Sequence, residues 1–370
     1  MKVGIIGCGK QSAKHLEALR NLGIDEIVVS DIRPEFANDL ATHAGVSSLP
    51  IDDVFKDASV ESIDICTPTP FHFHYAKRAL RAGKHVFCER PLTTNVEEAL
   101  FLHVLADRLN RVGMVAYGFK YHPSFVRAKE AIDTGLIGDL RAVYMRLGDK
   151  GSHRAWKHQS DNGGGAINEM MSHMLDLLLW LVGDITEVEC VNLDTLISRR
   201  RIEGQGIYTD AEDFALVVGK GAAGTKFVVQ SDLVSQSYKN RVEIIGTEGC
   251  IDLSIADSKD SFIFLNQAKF PFSQGRNSLA CEPTDLLQAM YEDFLRCIRD
   301  KEKPRKNSFS DAPRLARLFQ KIKKEETQPA MDPPVLPFRN GFGSDNYYSC
   351  RNREGLSRPL IDRNGRLYRG

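Results

Sequence analysis

The first fifteen residues constrain the fold of this chain more than any other stretch. An apolar run over 3–6 meets the pair Gly7 and Gly9, and a helical pattern of apolar residues follows over 13–22. This order predicts a strand, a tight glycine turn and a helix, in which Gly7 accepts the turn's backbone angles and Gly9 leaves room for a pyrophosphate at the helix N-terminus. Ser12 stands where a third glycine is expected in G-x-G-x-x-G, so the pattern alone fits either a dinucleotide loop or a plain turn.

A second apolar strand, predicted over 26–31, ends in an acid. Asp31 lies about 22 residues beyond Gly9, the spacing of a residue that binds ribose hydroxyls in dinucleotide-binding folds. Its charge would repel the 2′-phosphate of NADP and favours NAD, whereas Arg33 could pair with that phosphate and keeps NADP open. Asp31 could also cap the helix that begins at Pro34, and both roles can hold together.

Two further strands are predicted over 62–66 and 85–88, with a helix over 71–82 between them. Strands that alternate with helices in this way predict a parallel sheet with right-handed crossovers. The loops over 67–70 and 89–91 follow these strands, so they should gather at the sheet edge where open α/β sheets bind ligands.

The charge balance, apolar runs and cysteines of the chain limit the partners and cellular locations that we expect for it. The 370 residues include 49 basic and 49 acidic side chains, which argues against nucleic acid or a membrane surface as the main partner. The N-terminal apolar stretch is only a strand long, so we expect neither a secretory signal nor a membrane span. The eight cysteines include no C-x-x-C pair. They predict free thiols in a reducing cytoplasm.

Several motifs, in this order, carry a resemblance to a known family. They are Cys66-Thr67-Pro68 followed by His72, the run over 79–92 that contains Glu89-Arg90-Pro91, Gly163-Gly164-Gly165 leading to Glu169 and His173, and the segment Ile245-Gly246-Thr247-Glu248-Gly249. Over 1–326 the chain resembles the glucose-fructose oxidoreductase, inositol dehydrogenase and rhizopine-catabolism (Gfo/Idh/MocA) superfamily of NAD(P)-dependent sugar oxidoreductases. Two positions depart from it: Arg90 replaces the lysine of Glu-Lys-Pro, and Glu169 replaces the aspartate four residues before the catalytic histidine.

The resemblance implies an α/β Rossmann domain over 1–118 and an α+β domain over 119–328. The second domain should contain a large open, mostly antiparallel sheet that binds substrate and joins subunits into a homodimer or homotetramer. Without the resemblance, the consecutive predicted strands indicate only an α+β fold. A late helix over 285–300 should pack back on the Rossmann domain. The extension over 329–370 is expected to be a solvated tail or an arm on a neighbouring subunit, or else to reach a partner's active site.

The expected cofactor is NAD, with NADP open, and its contacts should come from the loops at the strand ends. The predicted cofactor-binding residues are Gly7, Gly9, Lys10, Gln11, Ser12, Asp31, Ile32, Arg33, Thr67, Pro68, Thr69, His72, Glu89 and Arg90.

The predicted chemistry lies on the helix after the glycine run. Glu169, His173 and Asp176 are spaced to share one helical face, and such a polar stripe requires either core partners or a substrate cleft. The resemblance favours the cleft and implies that His173, with an ordinary pKa near ~6.5, is the general acid/base. It implies that Glu169 fixes the tautomer of His173 or stabilises its imidazolium, whereas the extra methylene of glutamate could instead reorient the carboxylate. Arg90 can orient and polarise a substrate oxygen but cannot deprotonate.

Other substrate contacts are predicted where the chain leaves the first domain and just before the glycine run. The predicted substrate residues are Lys120, Tyr121, His122, Trp156, Asn168 and His173, and the segment Lys150, His153, Arg154, Trp156 and Lys157 could bind a sugar or a phosphate or be an exposed loop. We expect no metal, because His72 and His74 diverge at a helix start and have no supporting ligand pair.

The leading hypothesis is an NAD(P)-dependent oxidoreductase that acts on a secondary hydroxyl or ketone of a sugar, nucleotide-sugar, aminosugar or cyclitol. One alternative is a relative that uses tightly held NAD transiently in a redox-neutral sugar reaction. Another is a non-catalytic NAD(P)-binding regulator, which the replacement of lysine by Arg90 favours and the retention of His173 and Glu169 opposes.

Overall fold

The N-terminal part of the chain folds around a six-stranded parallel sheet with strand order β3-β2-β1-β4-β5-β6. The computed structural model describes residues 1–326 except 152–153, 203 and 256–257. The extension over 329–370 therefore lies outside the described residues. The strands are β1 (Lys2–Ile6), β2 (Ile27–Ser30), β3 (Ser47–Ser48), β4 (Val60–Ile65), β5 (His85–Cys88) and β6 (Gly113–Val115).

Five helices connect these strands, and their order confirms the predicted Rossmann architecture. They are α1 (Lys10–Asn21), α2 (Pro34–Ala44), α3 (Ile51–Lys56), α4 (His72–Arg81) and α5 (Val96–Arg108). The strands are buried on both faces: β2, for example, exposes none of its four residues. Continuous apolar runs are the expected pattern for such strands.

The second half contains an eight-stranded sheet with order β16-β15-β14-β13-β7-β12-β11-β8. Only β7 and β12 pair in parallel within it, which confirms the predicted mostly antiparallel sheet. A separate hairpin joins β9 to β10. The strands are β7 (Leu140–Gly148), β8 (Ile185–Asp194), β9 (Arg199–Ile202), β10 (Gln205–Tyr208), β11 (Phe214–Gly221), β12 (Lys226–Asp232), β13 (Lys239–Gly246), β14 (Gly249–Leu253), β15 (Phe262–Leu265) and β16 (Gly275–Ser278).

Side chains alternate across the large sheet, as a half-buried antiparallel sheet requires. On β7, Val143, Met145 and Leu147 are buried, whereas Tyr144 is exposed on the opposite face. The second half also contains α8 (Leu286–Asp300), which packs on the first sheet. The buried face of the large sheet packs on α6 (Pro123–Asp133), α7 (Ser172–Val182) and α9 (Ala312–Glu326). The opposite face is left without a cover among the described residues.

Helix α8 returns to the first sheet, as predicted. Asp285 caps it by accepting hydrogen bonds from the amides of the second and third helical residues. Tyr291 stacks on Phe87 of β5 at a ring separation of 4.3 Å, and Phe294 meets the same ring edge-on. The next segment runs beside β6: the Val115 amide donates to the Asn307 carbonyl at 2.8 Å. These contacts fix the second half against the edge that carries the predicted site.

No helix formed by the described residues is long and apolar enough to cross a bilayer. The seven cysteines among them are free thiols.

Replacing Phe309 tests the role of this crossing segment. Its ring is 1% exposed and lies against Gly113 of β6. We expect Phe309→Ala to lower the free energy of unfolding by about 3–5 kcal/mol in urea, because it opens a cavity where the segment joins the sheet. Phe270 is 99% exposed, so Phe270→Ala should change that free energy by less than about 0.5 kcal/mol. Equal losses in the two variants would contradict this role.

Candidate active site

The glycine turn after β1 is shaped to admit an anion. Gly7 has a φ of +96°, and a Cβ on it would lie 2.9 Å from the backbone of Cys66. A Cβ on Gly9 would meet no atom within 4 Å, and no side chain caps the start of α1. Ser12 is buried and donates to the Gly9 carbonyl, so a small residue suits that position. Open space and uncapped helix amides fit a pyrophosphate.

Asp31 braces this turn from the end of β2. Its carboxylate accepts from the Cys8 amide at 2.8 Å and from the Arg33 amide at 2.9 Å. The N-cap of α2 is Arg33 and not Asp31. The Arg33 guanidinium lies 3.8 Å from the centre of the Phe36 ring, and Ile32 is 78% exposed beside it. Asp31 stays half-buried, with lone pairs left for a ribose hydroxyl.

The loop after β4 contains an unsatisfied polar atom. The Thr67 hydroxyl is buried and has no hydrogen-bond partner among the described residues. Pro68 precedes a short 3-10 turn that begins at Thr69. A buried hydroxyl without a partner in the predicted cofactor loop fits a site completed by a ligand.

His72 ties this loop to the next one and offers no free ring nitrogen to a cofactor. Its Nε2 lies 2.7 Å from the Thr67 carbonyl and its Nδ1 lies 2.8 Å from the Pro91 carbonyl. Burial lowers the pKa of His72, while the two carbonyls oppose that shift. His72 thus supports the two loops, and its predicted contact with the cofactor stays a prediction.

Glu89 joins the first turn of α1 to the loop of Arg90. Its Oε1 accepts from the Gln11 amide nitrogen at 3.3 Å and lies 3.2 Å from His15 Nε2. Its Oε2 accepts from the Arg90 backbone amide at 3.1 Å. Burial acts to raise the pKa of Glu89, but His15 and Arg90 outweigh it and hold that pKa below its usual range.

Beneath this loop lies a buried network that the sequence did not reveal. His15 Nδ1 lies 2.9 Å from Asp64 Oδ2 and 2.8 Å from the Tyr291 hydroxyl, which itself donates to Asp64. Carboxylates at both ring nitrogens require both to donate, so His15 is an imidazolium. Burial opposes this charge, but Asp64 keeps the pKa of His15 well above its usual value. The network links α1, β4 and α8.

Part of this network also resembles a metal-ligand set. Ligand atoms of His15, Asp64 and Cys66 lie within 4.8 Å of one another. However, burial and the charge of Asp64 raise the pKa of the Cys66 thiol to about 12, and His15 carries a proton on Nδ1. A metal would have to displace both protons. We therefore describe these residues as a hydrogen-bonded cluster.

His173 projects from the start of α7 between two aromatic rings. Its ring lies 5.9 Å from Tyr117 and 5.1 Å from Phe119, centre to centre. Neither ring nitrogen has a hydrogen-bond partner within the part of the chain that the structure describes. Burial, followed by the charges of Arg90 and Lys157, holds the pKa of His173 well below its ordinary value. A neutral imidazole with a free nitrogen can accept a proton.

The predicted contact between Glu169 and His173 is not formed. Glu169 instead accepts a hydrogen bond from the Lys157 ammonium, and Arg90 Nη1 lies 4.0 Å from its other oxygen. Two features account for this: the ion pair holds Glu169 at Lys157, and a π-helical turn over Ile167–Met171 precedes α7, which begins at Ser172. The wider turn changes the register that an α-helix would give residues four apart. Asp176 pairs with Lys120 at 2.8 Å instead.

The remaining predicted site residues divide into those near His173 and those placed elsewhere. Arg90 donates to the Asn168 carbonyl at 3.3 Å, and Asn168 donates to the carbonyls of the glycine run, so both lie beside His173's helix. Lys120 is buried in its ion pair, and Tyr121 donates to Asp293 of α8 at 2.7 Å. His122 lines a separate cleft of about 640 Å³.

The segment before the glycine run is only partly described. Lys150 and Arg154 are exposed, while His153 lies outside the described residues. The Lys157 ammonium lies 5.3 Å from the centre of the Trp156 ring. Tyr117, which the sequence did not single out, has a buried hydroxyl without a partner among the described residues. Tyr117 closely follows a strand of the parallel sheet, at the same sheet edge as the glycine turn. That position is the sequence signal that could have identified it.

Comparison with known proteins agrees with this geometry. A family model described as the oxidoreductase family with an NAD-binding Rossmann fold (GFO_IDH_MocA) matches residues 1–117. A model of the GFO/IDH/MocA C-terminal domain matches residues 125–252.

Curated relatives are distant. Levoglucosan dehydrogenase of Pseudarthrobacter phenanthrenivorans is 29% identical over 248 residues, which cover 60% of this chain and 63% of that protein. The match thus spans less than two thirds of that relative's length. Inositol 2-dehydrogenase of Rhizobium meliloti is 25% identical over 257 residues, covering 68% of this chain and 74% of that protein.

Solved structures share the fold. Levoglucosan dehydrogenase in complex with NADH superposes with a TM-score of 0.78 at 22% identity, covering 88% of this chain and 96% of that chain. UDP-N-acetylglucosamine 3-dehydrogenase from Acidithiobacillus ferrooxidans gives a TM-score of 0.74 at 21% identity, covering 88% and 97%.

The network around His15 generates a prediction about stability. We expect Asp64→Asn to lower the free energy of unfolding by about 3–5 kcal/mol at pH 6, because it leaves a buried imidazolium with one carboxylate fewer. A histidine whose folded pKa is raised contributes stability below its unfolded pKa and loses it as pH rises through the folded pKa. The difference from wild type should therefore be smaller at pH 9 than at pH 6.

Urea unfolding at the two pH values checks this expectation. Asp52 pairs with Arg78 on the surface, so Asp52→Asn is the matched control and should lower the free energy of unfolding far less than Asp64→Asn at either pH. A loss for Asp64→Asn that is no larger than that of the control would show that His15 is not held as an imidazolium.

Proposed function

Because the chain belongs to the Gfo/Idh/MocA family of NAD-binding oxidoreductases, we propose that it transfers a hydride between NAD and a secondary hydroxyl or ketone. The substrate class we infer is a sugar, nucleotide-sugar, aminosugar or cyclitol. The printed names of its relatives, dehydrogenases of levoglucosan, inositol and UDP-N-acetylglucosamine, support this class.

The residues at the sheet edge fit the cofactor. The open space at Gly9 and the uncapped amides of α1 would hold the pyrophosphate, and Asp31 would accept from ribose hydroxyls. The carboxylate of Asp31 favours NAD over NADP. The buried Thr67 hydroxyl is a further group that could bond the nucleotide. When bound, NAD supplies the hydride acceptor, and its reduced form supplies the donor.

The single observation that carries the proposal is the ring of His173, which packs against Tyr117 and Phe119 and has no hydrogen-bond partner among the described residues. Burial and the charge of Arg90 lower its pKa, which agrees with a neutral ring. In the oxidation, the carbinol hydrogen leaves carbon as hydride with the C–H electron pair. The hydroxyl proton passes to the free nitrogen of His173, and the O–H electron pair forms the carbonyl. The fixed charge of Arg90 stabilises negative charge on that oxygen, and the reverse sequence reduces a ketone.

We also propose how the chain is organised and assembled. Residues 1–118 would form the cofactor domain and 119–328 the substrate and association domain. The uncovered face of the large sheet carries Tyr144 and Phe264, which are 45% and 42% exposed, and a second copy would cover it. The free thiols suit a cytoplasmic location.

Turnover tests the proposal. We expect wild type to form NADH from NAD and at least one member of a polyol, sugar and cyclitol panel, and His173→Ala to lose at least about 100-fold in rate. Because the pKa of His173 lies below its ordinary value, the oxidation rate should fall with acid only below pH ~6.5.

Two outcomes separate the alternatives. Consumption of a sugar with no net change in NAD would indicate transient use of a held cofactor. Nucleotide binding without turnover of any substrate would contradict the proposal. That result would favour a non-catalytic regulator, the alternative that the replacement of lysine by Arg90 supports.

Oligomeric state supplies a second test. We expect wild type to sediment as a dimer or tetramer, and Tyr144→Glu combined with Phe264→Glu to shift it to a smaller species, because buried carboxylates oppose association. Phe101 on α5 is 41% exposed, so Phe101→Glu is the matched control and should leave the mass unchanged. A monomeric wild type in analytical ultracentrifugation would contradict the proposed interface.

A further inference from the structure

Lys157 contacts Glu169, the carboxylate that the sequence analysis expected to interact with His173. We propose that Lys157 is a positioning residue of the active site: its ammonium binds Glu169 and withholds that carboxylate from the ring of His173. The inference rests on the proposed role of His173 as proton acceptor. Lys157 itself takes no part in the proposed proton transfer.

The contacts of Glu169 show how the carboxylate is held. One oxygen accepts from Lys157, and the other lies 4.0 Å from Arg90 Nη1. Glu169 is only 9% exposed, so it depends on these cations for compensation. Arg90 is the weaker partner, since it also donates to the Asn168 carbonyl. Lys157 therefore decides where the carboxylate lies.

The glycine run holds Lys157 in this place. A Cβ on Gly164 would lie 2.5 Å from the carbonyl carbon and oxygen of Lys157, and the Gly165 amide donates to that same carbonyl at 3.0 Å. Glycine at 164 thus permits the segment of Lys157 to pack directly on the start of the His173 helix. The Trp156 ring lies beneath the ammonium at 5.3 Å and limits its movement.

The charged groups around His173 indicate what loss of Lys157 would do. Arg90 and Glu89 face the ring from the loop after β5, Lys157 from the segment before the glycine run, and Tyr117 from the end of β6. Glu169 lies four residues before His173 along the chain, in the π-helical turn that precedes α7. Without the ammonium, the ring loses a positive neighbour, and the Glu169 carboxylate loses the partner that holds it away. Both changes favour the imidazolium.

NMR titration of the nucleotide-free protein tests this inference independently of turnover. We expect Lys157→Met to raise the pKa of His173 by about 1, and Lys157→Arg to keep it near the wild-type value. In the double variant Lys157→Met with Glu169→Gln most of that rise should disappear, because the carboxylate that would stabilise imidazolium is gone.

Lys2 provides the matched control. It forms an ion pair with Asp57 at 2.7 Å and is exposed to a similar extent, but it lies at the start of β1, the end of the strand opposite the glycine turn. Lys2→Met should leave the pKa of His173 unchanged. Thermal unfolding of each variant verifies that it is folded before titration.

The pH profile gives a second readout. If wild type turns over, Lys157→Met should lose rate relative to wild type as the pH falls through the raised pKa, approaching a loss of about tenfold only below the wild-type pKa, and it should keep most of its rate at pH 9. An unchanged His173 pKa in folded Lys157→Met would overturn the inference while leaving the proposed function intact. Absence of turnover in wild type would overturn the proposed function, and the NMR result would still decide the placement of Glu169.

Discussion

The buried charge on His15 is the interaction on which the candidate site depends. His15 lies between Asp64 of β4 and Glu89 after β5, and Tyr291 of α8 completes the contacts. Two carboxylates and one imidazolium are costly to desolvate and stable only together, so each fixes the position of the others. Through Glu89 the network sets the backbone of Arg90, and through Tyr291 it anchors the second half of the chain against the first. The proton on His15 thus holds the glycine turn and the loop of Arg90 in one arrangement.

A second set of charges determines the state of the reacting group. His173 is enclosed by aromatic rings and flanked by Arg90 and Lys157, so it is neutral at the pH where a base is needed. Glu169, which could have stabilised the imidazolium, is bound elsewhere. Burial and cations therefore produce a base with a low affinity for protons in the resting state. In the proposed reaction, this ring is unprotonated before the alcohol binds and can therefore accept its hydroxyl proton.

The sequence predicted those features that depend on neighbours in the chain. Gly7 and Asp31 follow from turn geometry and from spacing within one βαβ unit, and the large sheet follows from alternation along each strand. It could not reveal that His15 meets Asp64 and Glu89, which lie 49 and 74 residues away along the chain. The α-helical register failed at Glu169 because a single π-helical turn shifts every later side chain, and no residue pattern in 163–176 marks that turn.

The most direct measurement follows the transferred hydrogen itself. Substrates from the polyol and cyclitol panel, deuterated at the carbinol carbons, would be incubated with wild type and NAD, and the reduced nucleotide analysed by mass spectrometry. The account predicts that one deuterium appears in NADH for each carbonyl formed. Complete retention of deuterium in every substrate, under conditions where the protein binds the nucleotide, would contradict it.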